Sequence, residues 1–248
     1  MIIAGQKRFG PGDFSVGLVH EVVAILCKVG FSPDMAKRIA DIKSGMAEKI
    51  VNLFTDMTIM KVSDHWEDFY REIFGLDLDF SKLRIPECPG PGWRLIVIAR
   101  GITAEQAFQA CKKLFRVHKY TSDSLDDVFI NNQRDSKNGS YAVWVRRGQQ
   151  AEKLYKDMPT TEIKRMGTLT ETLTEHLVHE LKFFSETKNH LDTGFNMSNA
   201  TCCSGSCDRS GKVPVVSWGR VCGKLSLGWI FDIEMLGNGR MCHREVVS

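Results

Sequence analysis

The residues best suited to chemistry in this chain are the cysteines near its C-terminal end. Five of its eight cysteines lie between residues 202 and 242. Cys202, Cys203 and Cys207 stand close together, and Cys242 is followed directly by His243. Thiols beside an imidazole can bind zinc, form disulfides or pack as small apolar side chains. Each of these roles implies a different function for this part of the protein.

The cysteine spacing differs from that of a typical structural zinc site. Such sites favour Cys-x2-Cys pairs, because one tight turn then presents two sulfurs to one ion. Here two adjacent cysteines are followed by a Cys-x3-Cys spacing, and the sequence has no second close pair. We therefore expect no cofactor, and we keep zinc as the alternative, with the ligands Cys203, Cys207, Cys222 and Cys242.

The N-terminal residues argue against secretion, and hence against disulfides. Residues 1–10 have no apolar core after a basic start and no small-residue cleavage site, so they do not form a secretory signal. The longest apolar stretch, residues 16–31, contains His20, Glu21 and Lys28 and is too interrupted to cross a bilayer. We expect a cytoplasmic protein with reduced thiols and no membrane partner.

A histidine pair on a predicted helix is the second candidate for chemistry. The segment Glu175-His176-x-x-His179-Glu180 places two imidazoles three residues apart, a spacing that can chelate a metal. Its order differs from the His-Glu-x-x-His motif of metalloproteases. His176 lies beside the apolar stripe of the helix and His179 on its far side, so we expect a boundary histidine and a solvated one. The alternative is a metal-dependent hydrolase that uses these histidines or the C-terminal cysteines.

The sequence contains no familiar nucleophile or phosphate-binding motif. Ser204-Gly205-Ser206 lacks the strand, Gly-x-Ser-x-Gly and helix context of a nucleophile elbow. No Gly-x-Gly-x-x-Gly follows a predicted strand, and no loop ends in Gly-Lys-Ser/Thr. We therefore predict an intracellular interaction protein without enzymatic activity.

Positive charge is concentrated in the middle of the chain, although the net charge is only +3. Residues 82–147 carry twelve basic and six acidic side chains, whereas residues 1–81 carry nine and twelve. Basic side chains beside exposed aromatic rings bind single-stranded nucleic acid in some α/β sheets. We predict nucleic acid, or else another protein, as the partner. The candidate nucleic-acid-binding residues are Lys112, Lys113, Arg116, Lys119, Arg146 and Arg147. The alternative is an ordinary solvated basic surface.

Helical periodicity dominates the first third of the chain. Apolar residues at helical spacing predict helices over residues 16–26, 46–54 and 64–75. Ser32 before Pro33 and Asp34 predicts a further helix that ends near residue 42, with a serine N-cap and a proline at its first position. Residues 1–85 therefore form a helical N-terminal region. Three prolines and two glycines in residues 86–92 predict a linker.

The rest of the chain predicts an α+β fold. Residues 93–188 form a central α/β unit, with a strand over 93–100, a helix over 103–117, strands over 125–131 and 141–146, and a helix over 168–187. Residues 189–248 predict a cysteine- and glycine-rich antiparallel β-module packed on that unit, with strands over 213–218, 225–231 and 241–247. One of these strands would complete the β-α-β-β-α-β order of a ferredoxin-like sheet.

The later part of the chain resembles a known family. The resemblance rests on residues 141–146, 190–192, 201–206, 213–218 and 246–248. In order and spacing they are similar to an uncharacterised bacterial family, found largely in candidate bacterial phyla. Its members end in Thr-Leu-Cys-x-Gly-Ser-Arg, Val-Pro-x-Val-x-Trp and Val-Val-Ser. The resemblance covers roughly residues 65–248 and implies a bacterial protein but no particular activity. Cys202 replaces the family's leucine and Cys207 its arginine, which argues against zinc.

Overall fold

The computed structural model describes residues 31–41, 64–90, 92–194, 199–231 and 241–248. The chain divides into two compact units, residues 1–60 and residues 61–248. In the first unit, helix α1 (Pro33–Ala40) begins as predicted, because the Ser32 side chain accepts a hydrogen bond from the backbone of Met35. The helices predicted over 16–26 and 46–54, and the interrupted apolar stretch, lie outside the described residues.

The second unit contains the rest of the described secondary structure. Its elements, in chain order, are α2 (residues 64–74), β1 (Trp93–Ile98), α3 (Ala104–Leu114), β2 (Val117–Lys119), α4 (Leu125–Val128), β3 (Asn131–Asn132), β4 (Tyr141–Arg146), a 3-10 helix (Lys153–Tyr155), α5 (Thr160–Arg165), β5 (Leu169–Thr170), α6 (Leu173–Thr187), β6 (Thr193–Gly194), β7 (Ala200–Cys202), β8 (Ser206–Cys207), β9 (Val213–Gly219), β10 (Lys224–Ile230), β11 (Met241–Cys242) and β12 (Glu245–Val247). These helices and sheets confirm the α+β class.

Two sheets organise the second unit. The first has the strand order β1-β4-β12-β5, with every neighbouring pair antiparallel. The second has the order β11-β7-β9-β10-β2, and β6 pairs with β9 beside this path. The C-terminal strand β12 therefore lies inside the first sheet, while β2 from the middle of the chain forms an edge of the second. The segments predicted as a central unit and as a C-terminal β-module therefore both contribute strands to each of these sheets.

Two segments differ from the predicted strands. Residues 125–131 begin with the short helix α4, since the Ser124 side chain accepts from the backbone of Asp126 and caps that turn. Residues 241–247 are two short strands in different sheets, because β11 pairs with β7 and β12 pairs with β4. The predicted β-α-β-β-α-β order of a ferredoxin-like sheet is therefore wrong.

The Pro/Gly stretch 86–92 follows a helix that belongs to the core of the second unit. Trp66, Phe69 and Tyr70 of α2 are buried in the same apolar cluster as β1 and α3. The indole of Trp144 donates to the Pro86 carbonyl at 2.8 Å, which ties the described part of this stretch to β4. The division between the two compact units falls earlier in the chain, after residue 60.

Helix α6 lies in the interior of the second unit. It begins one residue after Thr172, whose side chain forms a reciprocal capping box with Glu175, and so it starts later than the predicted residue 168. Ten of the eleven residues from Leu173 to Phe183 are buried, five of them polar or charged. A buried polar group costs free energy unless it finds a hydrogen-bond partner inside the protein. The polar residues of α6 must therefore be matched by groups from other elements.

The free edge of β1 is closed by a tyrosine side chain. The buried hydroxyl of Tyr70 donates to the Val97 carbonyl at 2.8 Å and accepts from the Ala99 amide at 3.0 Å. We expect Tyr70→Phe to lower the free energy of unfolding by about 1–3 kcal/mol, because both backbone groups lose their partner. Urea denaturation measures this loss, with the exposed Tyr120→Phe as the matched control. Equal stability of the two variants would contradict this role.

Candidate functional site

Five ionisable side chains form a buried charge centre around the start of α6. The members are Glu171, His176, His179, Asp192 and Arg244. Each is at most 1% exposed. They come from the connection between β5 and α6, from α6 itself, from the residues that follow it, and from the connection between β11 and β12. The fold thus brings together residues 171–179, residue 192 and residue 244.

Two carboxylates hold the centre together. Glu171 contacts both imidazoles, with Oε2 2.7 Å from His176 Nδ1 and Oε1 2.8 Å from His179 Nδ1. Asp192 Oδ1 accepts from Arg244 Nη2 at 2.9 Å, and its Oδ2 lies 3.6 Å from His176 Nε2. Arg244 Nε lies 3.7 Å from Glu171 Oε2 and closes the ring of charges. Carboxylates and basic groups therefore alternate through the centre.

The pKa values of the two histidines of the centre are shifted in opposite directions. Burial lowers the pKa of His179 to about 4, so this imidazole is neutral and donates its Nδ1 proton to Glu171. Burial alone would also lower the pKa of His176, but Glu171 and Asp192 raise it. Burial would raise the pKa of Glu171, whereas the two imidazoles hold it well below its usual range. The charge of Arg244 and the raised pKa of His176 both offset the two buried carboxylates.

The expectation of one boundary and one solvated histidine is wrong for His179. Both histidines are buried, because other elements surround α6 on its polar side as well as on its apolar side. His179 Nε2 has no hydrogen-bond partner among the described residues. The neighbouring Cys203 is buried too, and burial together with Glu171 raises the pKa of its thiol. The thiol is therefore protonated and a poor nucleophile.

A serine–histidine pair lies beside the centre and was missed in the sequence. Ser204 Oγ lies 2.8 Å from His243 Nδ1 and 2.8 Å from the Thr170 hydroxyl. His243 Nε2 donates to the Met158 carbonyl at 2.7 Å, so in the neutral imidazole Nδ1 accepts from the serine. Ser204 is 4% and His243 1% exposed, which closes the pair to a substrate. No local signal links two residues that the sheets bring together.

The serine turn packs tightly against the start of α6. A Cβ atom at Gly205 would lie 2.6 Å from the Thr170 carbonyl oxygen and 2.8 Å from the Thr172 amide nitrogen, so only glycine fits here. Ser206 Oγ accepts from the Leu173 amide at 2.9 Å. This turn therefore holds the first residues of α6 in place.

The structure does not bring the candidate zinc ligands together. Cys203 is buried and Cys222 is exposed in the turn after β9, while Cys207 lies in β8 and Cys242 lines a cavity of about 220 Å³ beside Asp192. Among the described residues, no three Cys, His, Asp or Glu side chains form a group that could hold a metal ion. None of the seven cysteines in the described ranges is in a disulfide.

The six predicted nucleic-acid-binding residues fall into two groups. Lys119 donates to Glu105 at 2.8 Å, and Arg146 donates to Glu245 at 3.0 Å and lies over the Trp93 ring. The remaining four, which are Lys112, Lys113, Arg116 and Arg147, are exposed and form no ion pair with the described residues. Lys112 and Lys113 lie in the last turn of α3, and Arg116 lies two residues after its end.

Four aromatic rings form a stack next to the end of α3. His190 lies parallel to the Trp218 ring, with centroids 3.3 Å apart, and is stacked on Phe184 at 4.8 Å. Phe115 meets all three rings edge-on, at 4.8–5.8 Å. His190 Nδ1 lies 2.6 Å from Oε1 of the buried Glu180, which fixes the imidazole plane. All four rings are partly exposed.

Basic side chains surround this aromatic stack. Lys112 and Lys113 precede Phe115, and Arg116 follows it. Lys188 Nζ lies 5.6 Å from the centre of the Phe184 ring. Arg116 donates to the Cys222 carbonyl in the turn after β9, the turn that begins with Arg220. We call the stack and its cations the aromatic–basic face; its cations are Lys112, Lys113, Arg116, Lys188 and Arg220.

Comparison of this chain with protein-family models, with curated proteins and with solved structures gave no match. Within the described part of the chain, no helix has the length and apolar composition needed to cross a bilayer. The structure thus defines an α+β protein with a closed charge centre and an open aromatic–basic face. Its function is inferred from the geometry of these side chains.

Proposed function

We propose that this protein binds single-stranded nucleic acid on the aromatic–basic face. The observation that carries the proposal is a partly exposed stack of rings beside cations that form no ion pair with the described residues. A single strand offers phosphates along its backbone and unstacked bases beside them. Lysine and arginine neutralise the phosphates, and bases stack on exposed rings with little dependence on sequence.

The stack is suited to this role because its geometry is fixed before a ligand arrives. Glu180 is completely buried, and it accepts from the Leu191 amide at 2.8 Å in addition to its contact with His190. A base that stacks on rings already held in place costs less conformational entropy than one that must order them. The stack therefore supports binding without a rearrangement of the fold.

Charge compensation excludes Lys119 and Arg146 from the face, and position excludes Arg147, which follows β4 rather than α3. Lys112, Lys113 and Arg116 have no described ion-pair partner, so their charge is available to a phosphate. The charges of Lys119 and Arg146 are largely used by Glu105 and Glu245. The alternative of a metal-dependent hydrolase stays a prediction from the sequence, and no group of three metal ligands among the described residues supports it.

The triple variant Lys112→Gln, Lys113→Gln, Arg116→Gln tests the proposal. We expect its affinity for a labelled single-stranded oligonucleotide to fall by about tenfold or more, because phosphate contacts are lost. The slope of log affinity against log salt should become shallower by about 2, at roughly 0.7 for each single-strand phosphate contact. Fluorescence anisotropy over a range of salt concentrations measures both quantities.

A second triple variant is the matched control. Lys82→Gln, Lys164→Gln, Arg209→Gln removes the same charge from exposed positions that form no ion pair with the described residues, so binding should stay near that of the wild type. Equal losses in the two triple variants would show a general charge effect and contradict the assigned face. A wild-type protein that does not bind either RNA or DNA oligonucleotides would overturn the proposal.

A further inference from the structure

A separate open cavity lies beside β4. It has a volume of about 610 Å³, and its lining includes Arg84, Arg134, Ser140 and Tyr141. A second cavity of about 190 Å³ also has Arg134, Asp135 and Tyr141 in its lining. The two cavities therefore meet at these side chains. None of these residues belongs to the aromatic–basic face or to the buried charge centre.

Arg134 is held rigidly at this meeting point. Its Nε and Nη2 atoms donate to the two carboxylate oxygens of Glu175 at 2.7 and 2.8 Å, and Nη2 also donates to the Thr170 carbonyl at 2.6 Å. Glu175 is fully buried and accepts further hydrogen bonds from the Tyr141 hydroxyl and the Thr172 amide. These bonds leave the Nη1 edge of the guanidinium without a described partner. Glu175 already offsets the charge of Arg134, so what this edge offers an anion is an oriented N–H donor, and the uncompensated charge of the cavity comes from Arg84.

A second guanidinium and a hydroxyl line the larger cavity. Arg84 is exposed and forms no hydrogen bond or ion pair with the described residues. Ser140 Oγ accepts from the Arg100 amide at 2.9 Å, which leaves its proton free to donate. Among the described lining residues the only acidic side chain is Asp135, which accepts from the Lys137 amide and lies 3.7 Å from the Lys137 ammonium. The lining therefore has two guanidinium groups and one acidic side chain.

We infer that this cavity binds the phosphate group of a small phosphate monoester. A phosphate monoester carries close to two negative charges and three acceptor oxygens, so it can accept from two guanidinium groups and a hydroxyl together. A carboxylate has one charge and two oxygens, and it would leave one of the two arginines unused. The site is independent of nucleic-acid binding, because its donors lie on different segments from the aromatic–basic face.

Calorimetric titration of the full chain with inorganic phosphate tests the site. We expect saturable binding to the wild type and about tenfold weaker binding to Arg84→Gln, because one charge-assisted contact is lost. Arg84 has no described partner, so this variant should keep the thermal stability of the wild type. Acetate at matched ionic strength should bind much more weakly than phosphate. The inference is overturned by unsaturable phosphate binding, by an Arg84→Gln affinity equal to that of the wild type, or by acetate that binds as well as phosphate.

Crossing the two sets of variants separates this inference from the proposed function. Arg84→Gln should bind the labelled oligonucleotide as the wild type does. The triple variant at Lys112, Lys113 and Arg116 should bind inorganic phosphate as the wild type does. If Arg84→Gln weakens oligonucleotide binding as strongly as phosphate binding, the cavity is part of a nucleic-acid path, and an independent phosphate site is overturned.

Discussion

Replacing Arg244 with methionine is expected to lower the free energy of unfolding by about 3–5 kcal/mol. Arg244 is the largest of the completely buried side chains in the described core. Its guanidinium donates to Asp192 Oδ1 and, at 2.7 Å, to the Gly148 carbonyl. Methionine fills most of the volume but leaves Glu171 and Asp192 with only His176 to balance them. An uncompensated buried charge costs far more than the loss of an exposed ion pair.

Urea denaturation with the exposed Arg165→Met as control measures this effect. The midpoint should fall strongly for Arg244→Met and stay unchanged for Arg165→Met, with similar slopes in both. In a double-mutant cycle, Asp192→Asn should cost less in the Arg244→Met background than in the wild type, because the carboxylate has already lost its cation. Arg244→Lys keeps the charge without the planar fork and should lie between the two. Equal midpoints for Arg244→Met and Arg165→Met would contradict the role of the centre.

The second large effect is a loss of stability in acid that depends on His179. Its pKa in the folded protein is about 4, whereas an unfolded histidine has a pKa near 6.5. Between these pH values the His179 imidazole is protonated in the unfolded chain but neutral in the folded protein. The contribution of His179 is therefore fully present above about pH 6.5 and is lost as the pH falls towards 4, to a total of about 3 kcal/mol.

The other groups of the centre also change how the free energy of unfolding depends on pH. The raised pKa of His176 acts in the opposite direction, so its contribution is present below about pH 6.5 and is lost as the pH rises through the folded value. The lowered pKa of Glu171 adds a further loss of stability once the pH falls below the unfolded value. Asp192, Arg244 and the protonated thiol of Cys203 also face these histidines. The two imidazoles therefore act in different pH ranges: His176 changes the stability above about pH 6.5 and His179 between about pH 6.5 and 4, and Glu171 adds to the loss below its unfolded pKa.

Variants separate these contributions. His179→Gln keeps an N–H donor for Glu171 but cannot titrate, so its stability should fall less between about pH 6.5 and 4 than that of the wild type. His176→Gln removes a contribution that changes only above about pH 6.5, so its slope between about pH 6.5 and 4 should match that of the wild type, whereas its stability should no longer fall as the pH rises above about 6.5. The exposed His118→Gln is the control and should follow the wild type. Unfolding free energies from urea titrations at a series of pH values measure the slopes. A wild-type slope in His179→Gln would contradict the assignment of the neutral histidine.

Helix α6 connects the three sites through its buried carboxylates. Glu171, just before the helix, orients His176 and His179 in the charge centre. Glu175, in the first turn, orients Arg134 at the cavity beside β4. Glu180, in the middle of the helix, orients His190 in the aromatic stack. Each carboxylate is paired with a basic group from elsewhere in the chain or on the helix, which explains how a helix so rich in polar residues can be enclosed.

Much of the local structure follows from short sequence signals. Ser32, Thr103 and Thr172 each cap a helix with the side chain, and two of these caps are reciprocal boxes. The alternation of apolar residues in β10 and the apolar run of β1 mark strands that the structure contains. These signals can be read in advance because each acts between residues a few positions apart, through one hydrogen bond or one repeated face.

The sites depended instead on contacts between distant segments. The α+β class, the helix starts at Ser32 and Thr103 and the position of the basic segment could all be predicted from the sequence. Three features could be seen only in the folded chain. His179 is buried, and residues 241–247 divide between two sheets. Lys119 and Arg146 form ion pairs with Glu105 and Glu245. The physical reason is that periodicity reports which face of an element is apolar, but a buried charge is stable only when a partner is present. That partner is supplied by another part of the chain, as Arg244 is for Asp192 and Arg134 is for Glu175.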